Sequence, residues 1–266
     1  MIPKILVLVL AINEDPWERI EKEGQQPTWR SSSPEGIRIF RYIGTKPNTL
    51  LWKILDKFWF GNQKIQRFTR GKISIFSINL AANKRKKRIS NIDFNKNEII
   101  STFPDLYSLI GAKTLDAFDI SFRDFEFDYI YRTNVSSYLD LARLQKFVED
   151  KPRDNFYAGL IGNYYGINFA SGSGYFISRD LVSRVLQNKD LWDHNLVDDV
   201  SLGKLLTREF IIDIQKVERV DLDSSDFDSN RILDNPRNVF HYRCKSVDPN
   251  TTIEIMNTIH KIISTP

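Results

Sequence analysis

The stretch FDYIYRTNVSS, residues 127–137, decides the fold class of this chain. It opens with aromatic and β-branched residues and contains neither Gly nor Pro, which is typical of a buried strand. The stretch then becomes polar, and a helical pattern follows from Asp140, a predicted N-cap. In an α/β sheet, ligands bind at the carboxyl edge, where strands end in small polar groups before a helix. Such junctions are also common without any function, so the other segments must decide.

Three further segments predict strands of the same sheet. The apolar run ILVLVL at residues 5–10 is too short to span a bilayer and has no convincing signal-peptide cleavage site, so we interpret it as a buried strand. Residues 36–44 alternate apolar and charged side chains, and residues 156–162 form another apolar segment. We therefore expect an α/β fold with a Rossmann-like, mostly parallel central sheet flanked by helices.

Helical spacing separates these strands. Helices are predicted over residues 17–22, from Pro104 through Phe118, and from Asp180 onward. The section from residue 50 to residue 79 is mixed, with helical spacing first and strand-like alternation later. The absence of repeats, linkers and composition breaks predicts a single domain over residues 1–266.

The composition describes a globular protein. The 266 residues are 41% hydrophobic and 12% aromatic, enough for a substantial core. A net charge of +4 and a sequence pI near 9.0 suit an anionic, phosphate-bearing substrate and do not indicate nucleic-acid binding. Cys244 is the only cysteine, which excludes an intrachain disulfide and is consistent with a reducing compartment.

Two charge clusters are assigned to solvated loops. The basic run KRKKR at residues 84–88 has no interleaved aromatic residues, so it does not predict a nucleic-acid site, although it would attract an anionic acceptor or a membrane surface. The carboxylates of Asp221, Asp223, Asp226 and Asp228 fit no calcium-loop spacing.

Two later segments carry candidate site residues. In FASGSGYFISRD, residues 169–180, Gly172 and Gly174 leave room for a ligand to approach the backbone, although a glycine-bearing turn into a strand explains them equally well. Asp198 and Asp199 stand at the predicted start of a helix. The helix dipole favours an acidic residue there, but capping does not require two.

In this order, the segments resemble β-1,3-galactosyltransferases and fringe-type glycosyltransferases. The resemblance rests on short motifs in register: PTW at 27–29, a strand ending in Gly at 37–44, DLY at 105–107 with KTL at 113–115, RTNVS at 132–136, SGSGY with ISRD at 171–180, and DDVSLG at 198–203. Residues 50–100 match no part of that family.

The resemblance implies a GT-A fold and an inverting transfer of a sugar from a nucleotide-sugar donor, expected to be a UDP-sugar, to a glycan hydroxyl. Inversion by direct displacement needs a general base beside the attacking hydroxyl. Asp199 takes this role by its position in the acidic pair, and Asp198 orients the acceptor or the backbone beside it. The other substrate-binding candidates are Arg132, Asn134, Ser136, Ser171, Gly172, Ser173, Gly174 and Arg243.

The chain departs from the family at the metal site. Where the family has an acidic triplet that binds Mn²⁺ or Mg²⁺, this chain has Asn134, Val135 and Ser136. Losing the anionic ligands weakens a hard-metal site greatly. One alternative is a weakly held metal with Asn134, Ser136 and His241 as ligands, and another is that His241 is only a buried, hydrogen-bonded side chain.

Other readings stay open as well. Catalysis without a metal would use Arg132, Arg243 or Lys245 to stabilise the leaving diphosphate. A catalytically inactive module that binds a nucleotide sugar or a glycan is the alternative function, and a nucleotidyltransferase is a weaker one because the central strand lacks acidic metal ligands. Because no transmembrane segment is predicted, we expect no membrane span and a cytoplasmic enzyme.

Overall fold

The computed structural model describes residues 2–46, 54, 91–223 and 239–264, and these form a mixed α/β fold. The strands of the described part are, in chain order, β1 (Ile5–Leu10), β2 (Ile37–Thr45), β3 (Asn91–Asp93), β4 (Glu98–Pro104), β5 (Tyr129–Asn134), β6 (Ser137–Leu139), β7 (Tyr157–Tyr164), β8 (Ile167–Ser178), β9 (Ile214–Lys216), β10 (Val220–Leu222) and β11 (His241–Cys244).

Eight of these strands form the central sheet, in the order β3-β4-β2-β1-β5-β8-β7-β9. Strands β4, β2, β1, β5, β7 and β9 point one way, and β3 and β8 point the other way. The sheet is therefore mostly parallel, as the sequence predicts. A second sheet has the order β10-β11-β6, with β10 parallel and β6 antiparallel to β11.

The helices lie on both faces of the central sheet. They are α1 (Trp17–Ile20), which continues into the π-helical turn Glu21–Gln25; α2 (Ile110–Asp124), α3 (Leu141–Phe147) and α4 (Arg179–Gln187); α5 (Asp198–Lys204), which continues into the π-helical turn Leu205–Glu209; and α6 (Pro249–Ser264). Among the described helices, none has the length and apolar character needed to cross a membrane.

Strand β1 is apolar throughout because both of its faces are buried. Val7 and Val9 belong to one core cluster, which includes Ile259 of α6. Leu6 belongs to a second cluster, which includes Phe118 of α2. Because successive strand residues face opposite sides, a strand covered by helices on both faces needs an apolar residue at every position. The run at residues 5–10 is therefore a central strand, as predicted.

Most predicted elements are present, and one boundary is wrong. Asp140 caps α3 by accepting the Arg143 amide on its side chain at 3.0 Å. Pro104, however, ends strand β4 and does not open a helix, since α2 begins only at Ile110. Pro has no amide hydrogen to donate to a ladder, so it fits the last residue of a strand as well as the first turn of a helix.

The Gly-rich segment is not the glycine-bearing turn that the sequence analysis gave as one explanation of Gly172 and Gly174. Residues 171–174 lie inside the 12-residue strand β8. The mixed section at residues 50–79, apart from Ile54, and the basic run at 84–88 lie outside the described residues, as do Asp226 and Asp228. Asp221, predicted to lie in a solvated loop, instead lies on β10, where its carboxylate pairs with Arg219.

Helix α5 packs so tightly against β8 that position 203 has no space for a side chain. A Cβ at Gly203 would overlap the Phe169 Cβ and lie 2.7 Å from the Asn168 carbonyl oxygen. We expect Gly203→Ala to lower the free energy of unfolding by about 1–3 kcal/mol, because backbone on both sides would have to move. Urea denaturation measures this loss, and Gln187→Ala, at an exposed helical position, should change stability by less than about 0.5 kcal/mol. Equal stability of the two variants would contradict the packing.

Candidate active site at the carboxyl edge of the sheet

The candidate residues lie on three elements that meet where β5 ends. Strand β5 ends at Asn134, and β8 runs beside it with Gly174 paired to Thr133. Helix α5 begins at Asp198 and packs against β8. Parallel strands bring their carboxyl ends to one edge, so residues from distant parts of the chain share one site.

Asp198 is held in a buried ion pair with Arg132. The Arg132 Nη2 donates to Asp198 Oδ2 at 2.7 Å, and the two residues are 2% and 4% exposed. Burial by itself would lower the pKa of the Arg132 guanidinium, but the adjacent Asp198 raises it above its ordinary value. Arg132 Nε also donates to the Tyr42 hydroxyl at 3.0 Å, and Thr114 Oγ1 donates to Asp198 Oδ2 at 3.3 Å. The charge of Asp198 is therefore balanced inside the protein.

Asp199 has a different environment. Its Oδ2 accepts the Gly172 amide at 2.7 Å, and its Oδ1 accepts the Val200 amide at 2.9 Å. Burial, followed by the charge of Asp198, raises the pKa of Asp199 to about 6, while the Gly172 hydrogen bond and Arg132 oppose the rise. A carboxylate with a pKa near neutrality suits a general base.

Gly172 is required by the close approach of these groups. A Cβ at this position would lie 2.8 Å from Arg132 Nη1 and 2.9 Å from Asp199 Oδ2. The hydrogen atom in place of a side chain lets the Gly172 amide reach the Asp199 carboxylate. The sequence predicts that glycine lets a ligand approach the backbone here. The group that approaches Gly172 is instead the carboxylate of Asp199.

Asn134 and Ser136 form a turn held by their own side chains. Asn134 Oδ1 accepts the Ser136 amide at 3.1 Å, the Ser136 hydroxyl at 2.9 Å and the Ser137 hydroxyl at 3.3 Å. Gln25 donates to the carbonyl oxygens of Asn134 and Ser137 at 3.0 and 2.8 Å. Trp29 donates to the Ser137 carbonyl oxygen at 3.0 Å. The side-chain oxygens predicted for metal binding are thus used to fix the turn.

His241 is buried with both ring nitrogens engaged. Its Nδ1 lies 3.0 Å from the Tyr131 hydroxyl and its Nε2 lies 3.0 Å from the Ser137 hydroxyl. Burial, together with Arg219 and Arg243, holds the pKa of His241 well below its ordinary value, so the ring is neutral. This is the buried, hydrogen-bonded histidine that the sequence left open beside the metal ligand.

The donor set at this edge does not fit a divalent cation as it stands. Asn134 already accepts three hydrogen bonds, the Ser136 hydroxyl donates to it, and His241 has no free nitrogen. Over the described ranges there is no group of three or more His, Cys, Asp or Glu residues placed to hold a metal ion. Hard cations such as Mg²⁺ and Mn²⁺ prefer carboxylate oxygens, which this turn lacks.

Arg219 is a site residue that the sequence analysis missed. Its Nε and Nη2 pair with the two carboxylate oxygens of Asp221 at 2.6 and 2.8 Å. Its Nη1 donates to the hydroxyls of Ser171, at 3.1 Å, and of Ser173. No motif marks Arg219, since a single arginine before a short strand has no distinguishing spacing. Thr114 lies within a motif of the resemblance, but its contact with Asp198 appears only in the fold.

The remaining predicted cations differ in exposure. Arg243 is half-buried on β11, and burial and then Arg219 lower its pKa, against the attraction of Asp221 and Asp199. Lys245 is exposed just beyond β11.

A cavity of about 570 Å³ lies at the opposite edge of the sheet, between residues such as Lys4, Gly36 and Phe125, and includes none of the candidate residues.

Comparisons with known proteins find similarity in structure only. No family model and no curated protein matches the chain. Among solved structures, a glycosyltransferase involved in glycosylation of the major capsid of PBCV-1 aligns over 96% of this chain and 100% of its own, with 10% identity and a TM-score of 0.42.

Two further structures are similar at the same level. The mannosyltransferase PcManGT from Pyrobaculum calidifontis, in complex with GDP-Man and Mn²⁺, aligns over 100% of this chain and 71% of its own, with 9% identity and a TM-score of 0.44. The galactosyltransferase LgtC, in complex with donor and acceptor sugar analogues, aligns over 98% and 97%, with 9% identity and a TM-score of 0.42. Similarity at this distance does not identify the reaction.

The buried ion pair makes a prediction about stability. Arg132→Met or Asp198→Asn alone leaves an uncompensated partner, so each should cost about 3–5 kcal/mol in the free energy of unfolding. The double variant should cost less than the sum of the two. Urea denaturation at neutral pH measures the cycle, with Arg123→Met as a control because its pair with Asp124 is exposed and is worth about 0–1 kcal/mol. Strict additivity would show that the pair is not coupled.

Proposed function

We propose that this protein is an inverting glycosyltransferase of the GT-A type, which moves a sugar from a nucleotide-sugar donor, UDP-linked in the first instance, to a hydroxyl of a glycan. The observation that carries the proposal is that two adjacent carboxylates have different environments. Asp198 is neutralised by Arg132, whereas Asp199 has a pKa near 6 and lies at the carboxyl edge of the sheet. The motifs that resemble the fringe-type family support the same reaction.

In this mechanism Asp199 is the general base. It removes the proton from the attacking hydroxyl while the acceptor oxygen forms a bond to the anomeric carbon. The bond from that carbon to the phosphate oxygen breaks, and its electron pair leaves with the nucleoside diphosphate. Attack opposite the leaving group inverts the anomeric centre. The proton ends on Asp199, whose pKa near 6 lets it give the proton to water afterwards.

The surrounding residues position this base and the substrates. The Gly172 amide fixes one oxygen of Asp199, and burial, followed by the charge of Asp198, raises the pKa of the Asp199 carboxyl. Arg132 acts through Asp198 and does not need to touch the substrate. Ser171, Ser173 and Arg243 are assigned to substrate binding, as is the turn of Asn134 and Ser136. Gly174 does not leave room for a ligand as predicted, because a Cβ there would overlap the Tyr131 hydroxyl and the His241 ring.

The assignment of the base is tested by Asp199→Asn. We expect this variant to bind the donor as the wild type does and to lose transfer by a factor of about 10²–10⁴, because the amide cannot accept the proton. The donor is first selected by thermal shift with UDP-glucose, UDP-galactose, UDP-N-acetylglucosamine and GDP-mannose, since a bound ligand stabilises the native state. Release of nucleoside diphosphate then measures turnover.

The matched control is Asp190→Asn, which removes an exposed carboxylate after α4 and should leave turnover unchanged. Full turnover in Asp199→Asn would refute the assignment of the base. If the wild type bound a donor but turned over none, the alternative of an inactive nucleotide-sugar-binding module would replace the proposal.

The pH profile gives an independent prediction. A raised pKa means that protonated Asp199 persists up to about pH 6, and only the deprotonated form accepts a proton from the acceptor. The transfer rate at saturating donor should therefore rise about tenfold per pH unit below pH 6 and level off above it. Initial rates between pH 4.5 and 8, in buffers of constant ionic strength, measure this profile (a range of about two units on either side of the pKa). A flat profile would be inconsistent with Asp199 as the base.

A further inference from the structure

The second sheet presents two arginines on one face. Residues two apart along a strand share a face, and so do residues paired across strands. Asp221 pairs with Arg243 in the register of β10 and β11, and Ser137 pairs with Arg243 from the other side, on β6. These three side chains therefore share one face of the second sheet. Arg219 lies just before β10, and its guanidinium reaches this face by bonding both carboxylate oxygens of Asp221.

This face points toward the Gly-rich strand of the candidate site. Arg219 Nη1 donates to the Ser171 and Ser173 hydroxyls, and the Ser137 hydroxyl oxygen lies 3.3 Å from the Ser173 carbonyl oxygen. Gly172, between the two serines, donates its amide to Asp199. The arginine face and the proposed base therefore lie on either side of the same three residues.

The charges on this face call for an anion. Arg219 is almost fully buried, with 5% of its side chain exposed, and its partner Asp221 is 60% exposed. Arg219 is already paired with Asp221, whereas Arg243 makes no ion pair or side-chain hydrogen bond with any residue in the described ranges, and its buried Nε has no partner there. Burial, followed by the field of Arg219, lowers the pKa of Arg243, against the attraction of Asp221 and Asp199. A bound anion would balance the charge of Arg243 and satisfy its open donors.

Resting on the proposed function, we propose that Arg219 and Arg243, together with the Ser171 and Ser173 hydroxyls, bind the diphosphate of the donor and stabilise it as the leaving group without a bridging divalent cation. Guanidinium groups match phosphate oxygens in a bidentate geometry. As the bond to the anomeric carbon breaks, the electron pair goes to the diphosphate oxygen, and the acceptor proton goes to Asp199. Neutralising Asp199 leaves the arginine face more positive at the moment when the leaving group becomes more negative.

This arrangement takes the place of the acidic triplet of the resembling family. A cation bridge needs anionic oxygens at the end of β5, and there Asn134 Oδ1 is engaged by Ser136 and Ser137. Arginines supply the same stabilisation of negative charge from the other side of the site. Arg243 on β11 and Arg219 beside β10 therefore provide the positive charge that a metal ion provides in that family.

The test uses inorganic pyrophosphate and UDP as probes for the full chain, by isothermal titration calorimetry in EDTA. The wild type should bind both, and Arg243→Gln should weaken both at least tenfold. Arg219→Lys, which keeps the charge but loses the paired hydrogen bonds to Asp221 and the contacts with both serines, should also weaken them. Arg38→Gln removes an equal charge from an exposed position at the opposite edge of the sheet and should change neither. Melting temperatures show that each variant is folded.

The outcomes separate this inference from the proposed function. If the wild type binds pyrophosphate and UDP only when Mn²⁺ replaces EDTA, or if Arg243→Gln binds as the wild type does, the arginine site is refuted and the transferase proposal stands. If pyrophosphate binds through Arg243 in EDTA but no nucleotide sugar is bound or turned over in either condition, the arginine site stands and the proposed function is refuted. Turnover in EDTA that falls at least tenfold in Arg243→Gln supports both.

Discussion

The ion pair between Arg132 and Asp198 joins the central strand β5 to the start of helix α5. Both charges are buried, so either one alone would be costly, and their bond at 2.7 Å fixes the helix relative to the strand. Tyr42 and Thr114 satisfy further donors and acceptors of the pair from β2 and α2. One polar contact therefore ties four elements together at the carboxyl edge, where an α/β sheet binds its ligands.

This contact also explains why two neighbouring aspartates have different properties. The charge of Asp198 is balanced by its ion pair with Arg132. Asp199 instead accepts the Gly172 amide and has no cation bonded to its carboxylate within the described residues. The burial that surrounds the pair and the charge of Asp198 itself both disfavour ionisation of Asp199, which raises its pKa to about 6. The proposed base therefore has a pKa near neutrality because it is buried beside a carboxylate that is already paired with Arg132.

The strands and the helix start that depend on local sequence patterns were predicted from the sequence. The all-apolar run of β1, the capping residue Asp140 and the strand at β5 follow from periodicity and capping, and each is present. Pro104 was assigned to a helix because the same residue suits a strand end and a first turn, and only the pairing of β4 with β2 distinguishes them. Arg219 had no local signal at all. Its contacts with Asp221, Ser171 and Ser173 exist only in the fold, which a single sequence does not show.

The turn at Asn134 connects the missing acidic triplet with the arginines. Asn134 Oδ1 accepts three hydrogen bonds within this turn. The turn leads directly into β6, whose Ser137 pairs with Arg243 of β11. It therefore also positions the second sheet relative to the end of β5. A carboxylate at position 134 would accept the same hydrogen bonds, but carboxylates at 135 and 136 would add mutually repelling charge and remove the Ser136 hydroxyl donor.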